Sequence, residues 1–263
     1  MNRARWILGA AALLAAAAVV GGADPEGAAP APPPATSPPA SSAAAPAETP
    51  KAEAPPAETA APPAPANGDA QGDAVACANL IYAGTRSSVC FSDRFLSTTA
   101  RDTTINTARK FKPVKLAGDE VFRYPFAVMT GEGSFVLTET ERTNLRRYLE
   151  RGGFLLASAG CSSRQWDASF RREFHIVFPD AALEVIPMDH EIFHTIYDIK
   201  QLRTKGPVAH LEGLTLGGKI VLVYTSDGLN DTSTMHGCCC CGGNEILNSQ
   251  QMNANILAYA LLQ

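Results

Sequence analysis

The chain has 263 residues, of which 46% are hydrophobic and 18% charged, with a formal net charge of −4 and 7 Cys. Removing Arg3, Arg5 and Lys51 from its 22 basic residues, and Asp24, Glu26, Glu48, Glu53, Glu58, Asp69 and Asp73 from its 26 acidic ones, leaves 19 of each in 75–263. That stretch is formally neutral, which excludes nucleic acid as an expected partner, and its length suits a single hydrophobic core without internal repeats.

Residues 1–23 read as an export signal. Arg3 and Arg5 start it, Trp6 to Val20 is an apolar run, and Gly21 and Ala23 are small residues before a cut at Asp24. A membrane-spanning helix needs about 20 apolar residues, so cleavage is expected rather than anchoring. If the segment is retained, it is the chain's membrane contact. Residues 24–74 are Pro, Ala, Ser, Thr and Glu with almost no large apolar side chain. Such a segment cannot bury enough surface to offset its ordering entropy. Runs such as Pro32-Pro33-Pro34 favour an extended spacer. The domain proper is expected over 75–263.

Within the domain, Ala76 to Tyr82 reads as a buried strand turned by Gly84-Thr85-Arg86. A helix is predicted over Ser92 to Lys110 and a short strand over Val114 to Leu116. The apolar run Phe126 to Thr130 ends on Gly131-Glu132-Gly133. Thr138 and Glu141 stand at capping-box spacing before a helix with Leu145, Tyr148 and Leu149 on one face, stopped by Gly152-Gly153. Phe154 to Ala159 then delivers Gly160-Cys161. Strand, helix and strand in this order make a βαβ unit, hence a mostly parallel sheet with helices on both faces. A helix follows over Gln165 to Phe174 and a short strand over Leu183 to Ile186. Asp189 caps a short helix through Tyr197, and Leu202 to Leu216 is read as loop. Lys219 to Thr225 is a strand, Ser226 to Asn244 a polar loop, and Ile246 to Leu261 an amphipathic helix.

Several words in this stretch carry a resemblance: Tyr124-Pro125-Phe126, Leu145-Arg146-x-Tyr148-Leu149-x-x-Gly152-Gly153-Phe154-Leu155, Phe170-Arg171-Arg172-Glu173, Val177-Phe178-Pro179, Asp189-His190-x-Ile192-Phe193 and Asn255-Ile256-Leu257-Ala258-Tyr259-Ala260-Leu261. Over most of 78–263 the chain resembles the bacterial domain of unknown function 4159 family. The resemblance implies an α/β fold of flavodoxin-like or class I glutamine amidotransferase-like type. It implies no particular activity.

Four sets of residues could carry chemistry. The first is the run Cys238-Cys239-Cys240-Cys241. In an oxidising compartment these cysteines would pair outward, to Cys161, Cys90 or Cys77, because adjacent cysteines rarely bond each other. A staple from the run to Cys161 is the expected arrangement. Zinc held by Cys161, His236 and members of the run (Cys238, Cys240, Cys241) is the metal alternative. The second is Cys161 as a nucleophile, with Glu132 and His236 as candidate helpers. The third is His190-Glu191-Ile192-Phe193-His194, which matches the zinc-peptidase pattern H-E-x-x-H. It lacks a long helix and a following ligand helix, and the resemblance implies Pro where Glu191 stands, so an anchoring segment is expected instead. The fourth is Arg86, Glu132, Cys161 and Asp227, each following a predicted strand. In a parallel sheet all four would face one crevice, the usual ligand site.

These readings describe an exported domain of the periplasm or cell surface. It binds an envelope protein or a small molecule and is not catalytic. The alternative is a hydrolase using Cys161 or zinc at His190 and His194. Protein recovered from the envelope is expected to start at or near Asp24. An intact mass that retains Met1 to Ala23 would mean an anchor.

Overall fold

The computed structural model of the chain describes residues 74–86, 90–231 and 243–263. The expected export segment and nearly all of the spacer lie outside these residues, as do His236 and the run Cys238 to Cys241.

A seven-stranded sheet organises the domain: β1 (Cys77–Ile81), β2 (Lys112–Lys115), β3 (Phe126–Gly131), β4 (Phe154–Ala159), β5 (Glu184–Val185), β6 (Glu212–Leu216) and β7 (Lys219–Thr225), in the order β2-β1-β3-β4-β7-β6-β5. Strands β2, β1, β3, β4 and β7 are parallel. β6 runs antiparallel to β7, and β5 antiparallel to β6. Four helices pack on it: α1 (Arg94–Asp102), α2 (Glu139–Glu150), α3 (Arg164–Val177) and α4 (Ser249–Leu262).

The strand sequences explain the layering. Parallel strands covered on both faces read as near-continuous apolar runs, and every residue of β4 is buried. Alternation then sorts side chains by face. Ala127, Met129, Leu155, Ala157 and Tyr224 pack with α2 and α3, around Trp166, Phe170 and Tyr148. Phe126, Val128, Phe154, Leu156 and Val223 pack on the other face with α1 and α4, around Phe95, Leu96, Met252 and Ile256. Helices therefore lie on both faces, as expected.

The expected capping box is present: Thr138 Oγ1 accepts the Glu141 amide at 3.2 Å, and Glu141 Oε2 accepts the Thr138 amide at 2.8 Å. Four expectations are corrected. The helix expected to Lys110 ends at Asp102, because threonine hydroxyls compete for its backbone. Thr103 Oγ1 donates to Thr99 O at 2.7 Å and accepts the Ile105 amide at 3.0 Å. The loop expected over Leu202 to Leu216 contains β6, paired with β7 across Gly217-Gly218, both at positive φ. The last helix is buried almost all round, from Met252 to Tyr259, rather than on one stripe. The helix expected from Asp189 to Tyr197 is one 3-10 turn, Glu191–Phe193, capped by His190.

Between α2 and α3 sits an enclosed carboxylate. The Glu173 side chain is 2% exposed and accepts from Arg142 Nε at 2.8 Å and Arg172 Nη2 at 3.1 Å. Removing one member of a buried pair leaves the other charge uncompensated. Glu173→Ala is expected to cost about 3 kcal/mol in urea unfolding, against about 1 kcal/mol for Thr138→Ala, which removes only a cap. Equal losses would place the Glu173 pair on the solvated surface.

Candidate functional site

Parallel pairing brings the carboxyl ends of β1, β3, β4 and β7 to one edge. At the end of β1, Tyr82 and Arg86 exchange backbone hydrogen bonds of 2.8 and 2.9 Å around a tight turn in which Ala83 and Gly84 have positive φ. This turn aims Arg86 across the gap to β3, where its Nη1 donates to Glu132 O at 3.0 Å. Beneath it, the Tyr82 hydroxyl donates to Thr130 O at 3.0 Å and accepts from Trp166 Nε1 at 2.7 Å. Burial pushes the Tyr82 phenol up to about 12, so it stays protonated. The ends of β1 and β3 are thereby joined by a buried polar floor and a guanidinium above it.

At the end of β4 the chain kinks. Cys161 has φ 50 and ψ 30, and Ser162 has φ 52, a left-handed pair without glycine. Such backbone persists only where surrounding contacts hold it. A Cβ on Gly160 would lie 2.9 Å from Gly131 O and 3.4 Å from Glu132 Cγ, so this corner presses on the end of β3. Ser163 accepts the Gly133 amide at 3.1 Å and caps α3 through the Trp166 amide. From the far side, Asn244 donates its amide to Ser162 Oγ at 2.7 Å, and a Cβ on Gly243 would lie 2.7 Å from the Cys161 carbonyl carbon.

Asn244 also reaches β7. Its Nδ2 donates to Asp227 Oδ1 at 2.8 Å and to Pro207 O at 3.0 Å. Asp227 is half-buried. Burial raises its carboxyl above the ordinary 3.8, opposed by the Asn244 hydrogen bond and the charge of His210. The segment after β7 then crosses the edge. Ser158 Oγ donates to Asp227 O at 3.1 Å and accepts the Leu229 amide at 3.0 Å, and the Ser92 amide donates to Asn230 O at 2.8 Å.

Arg86, Glu132, Cys161 and Asp227 therefore lie on one connected line. Links through Glu132, the Gly160–Ser162 corner and Asn244 join its ends. Sequence reasoning missed Asn244, His210 and the Tyr82–Trp166 pair. Asn244 follows two glycines, a turn signal, but its bonds to Ser162 and Asp227 span 82 and 17 residues. The staple expected between Cys161 and the cysteine run involves residues outside those described. Cys77, an alternative partner, lies fully buried in β1, with its thiol pushed up to about 12 by burial, and packs as a small apolar core residue.

The histidine pair stands apart from this line. His190 Nδ1 accepts the Ile192 amide at 3.2 Å. His194 uses both ring nitrogens, on Asp198 Oδ1 at 2.6 Å and Met188 O at 2.9 Å. A zinc ion on His194 would have to displace one of its two partners, and one 3-10 turn does not align i and i+4 as an α-helix does. Ile192 and Phe193 are fully buried against the core that includes α4. Among the described residues, no group of three or more His, Cys, Asp or Glu is placed to hold a metal ion.

Fold and edge together define an α/β domain with a mostly parallel sheet and a hydrogen-bonded set of polar groups at the strands' carboxyl ends. The family model for the domain of unknown function DUF4159 matches residues 77–261, and the chain belongs to that family. No curated protein matches it.

The raised Asp227 carboxyl has a measurable consequence. Its folded state holds a proton more tightly than the unfolded chain, so its contribution to stability is fully present below 3.8 and is lost as pH rises through the raised value. Asp227→Asn keeps an acceptor for Asn244 and removes the titration. The stability of the natural protein relative to this variant is expected to fall as pH rises across that window, followed by urea unfolding. A flat difference would mean that Asp227 is solvated.

Proposed function

We propose that this is an exported cell-envelope module that binds a small ligand or partner at the carboxyl edge of its sheet and performs no chemistry there. The observation that carries this reading is the connected line from Arg86 through Glu132 and the Cys161 corner to Asp227, which sets a cation and carboxylates along one edge of the sheet. The parallel strands follow the order β2-β1-β3-β4-β7, the flavodoxin-like arrangement, which supports a flavodoxin-like or amidotransferase-like fold. In such sheets ligands bind where the strand order reverses, here between β1 and β3, the gap that Arg86 crosses. Export is supported by the charged start and short apolar run of residues 1–23, and a spacer role by the Pro-rich composition of 24–74.

One observation favours a second reading. Cys161 sits in a left-handed conformation at a strand-to-helix corner, the backbone setting of a nucleophile elbow. A hydrolase would also need a histidine to form the thiolate. Among the described residues, His210 is the histidine whose charge reaches Asp227.

A thermal-shift panel of amino acids, their amides and esters, sugars and dicarboxylates separates the two. A binder at about 100 times its dissociation constant adds about 2.7 kcal/mol of stability. The expected result is a compound that stabilises the natural protein, does so less for Arg86→Gln and Asp227→Asn, and is recovered unchanged. Recovery of a cleaved product, lost in Cys161→Ser, would establish the hydrolase. Equal stabilisation of both variants would remove the crevice from the binding site.

A further inference from the structure

A second polar concavity lies at the opposite edge, where β3 and β4 begin. Phe122 and Arg123 close a 3-10 turn (Asp119–Arg123), and Tyr124-Pro125 lead into β3. Facing them is the end of α2, with Arg147, Tyr148 and Arg151, followed by Gly152-Gly153 and β4. The cavity between has a volume of about 360 Å³ and is lined by Phe122, Arg123, Tyr124, Tyr148 and Arg151 above a glycine floor.

The guanidinium carbons of Arg147 and Arg151 lie 5.0 and 5.3 Å from the Phe122 ring centroid. Stacking on an aromatic ring holds a guanidinium in place and leaves its in-plane N–H groups available. Arg101, Arg142, Arg146, Arg171 and Arg172 are each tied to a carboxylate. Arg123, Arg147 and Arg151 make no ion pair or side-chain hydrogen bond among the described residues. Two carboxylates from the same elements are engaged: Glu120 accepts from the Tyr124 hydroxyl at 3.1 Å, and Glu150 accepts from Arg146 at 2.8 Å.

A helix carboxyl end ordinarily repels anions and attracts cations. That would account for Arg147 and Arg151 as simple dipole partners. It does not account for Arg123, which comes from another segment and lines the same cavity. The last carbonyls of α2 are also occupied by the chain's own amides: Arg147 O by Arg151, Leu149 O by Gly152 and Tyr148 O by Gly153, at 3.1, 3.2 and 2.9 Å. The negative helix end is thus largely spent, while Arg123 and Arg151, which line the cavity, form no ion pair among the described residues.

We propose that this concavity at the amino edge of the sheet is a binding site for a small ligand bearing a carboxylate or phosphate group, held by Arg123 and Arg151 beside Phe122 and Tyr124, with Arg147 stacked on Phe122 adding positive charge nearby. Guanidinium forks match both oxyanions bidentately. The volume suits a compact ligand and not a polymer. The site is separate from the carboxyl-edge crevice.

Calorimetric titration of the full-length protein with citrate and with pyrophosphate, each against sodium chloride of equal ionic strength, tests the assignment. One-to-one binding of at least one of the two is expected. Citrate alone would mark a carboxylate site and pyrophosphate alone a phosphate site. Arg123→Gln and Arg151→Gln should each weaken binding by roughly tenfold or more, the loss of a charge-assisted hydrogen bond. Lys200→Gln, which removes an exposed cation outside both edges, should leave it unchanged. Arg123 and Arg151 are exposed, so unfolding midpoints should match the natural protein. Heats no larger than those of chloride, affinity unchanged in both arginine variants, or an equal loss in Lys200→Gln would overturn the proposal.

Discussion

The pairing of β3 with β4 positions most of what matters in this domain. Six residues run in register, from Phe126 opposite Phe154 to Gly131 opposite Ala159. Because side chains alternate along a strand, this register puts Phe126 against Phe154 on the face of α1 and α4, their rings 5.7 Å apart and nearly parallel. It puts Ala127, Met129, Leu155 and Ala157 on the face of α2 and α3. A slip by one residue would exchange the faces. It would also separate Glu132 from the Gly160–Ser162 corner, which touch only because both strands end side by side. One constraint thereby serves both the core and the crevice.

The polar groups at the carboxyl edge are organised by the segments that cross it. Ser158, Thr130 and Ser92 hold Asp227, Leu229 and Asn230 over the ends of β4 and β3, with Thr130 Oγ1 donating to Asn230 Oδ1 at 3.3 Å. Each of these bonds satisfies a group that burial would otherwise leave costly. The edge is consequently hydrogen-bonded polar structure, and burial beneath it raises the pKa of the half-buried Asp227 against the opposing Asn244 hydrogen bond. Formal neutrality over 75–263 conceals such local order. Balanced totals coexist with Arg123 and Arg151 at the amino edge, which form no ion pair among the described residues, and with Glu132 and Asp227 at the other.

Local signals in the chain were informative where neighbouring residues determine structure. The capping box of α2, the bounds of β4 and β7 and the βαβ order all follow from patterns within a few residues. They failed where partners are distant. α1 was overextended because threonine back-bonding ends it, and Thr107 serves instead in a bridge to Val75, its hydroxyl on Leu96 O at 2.7 Å. β6 was missed although Leu214-Thr215-Leu216 before Gly217-Gly218 is a hairpin signal. α4 lacks a polar stripe because the sheet, α1 and the Glu191–Phe193 turn enclose it, and Asn255 stays buried by bonding the Ile196 and Tyr197 amides. The H-E-x-x-H pattern grips zinc from an α-helix, and this segment forms one 3-10 turn instead.

By itself, the sequence determined the α/β class, the placement of Glu132 and Cys161 at strand ends, and membership of a recognisable family, because hydrophobic period, caps and turn residues act over short separations. The tertiary structure alone decided that Arg86 spans to Glu132, that Asn244 ties Ser162 to Asp227, that Arg147 and Arg151 stack on Phe122, and that Arg123 and Arg151 line one cavity. Those contacts arise only after strands far apart in the chain are brought into register. A pairwise hydrogen bond or stacked ring leaves no periodic trace in the order of the residues, so its partners become visible only in the folded chain.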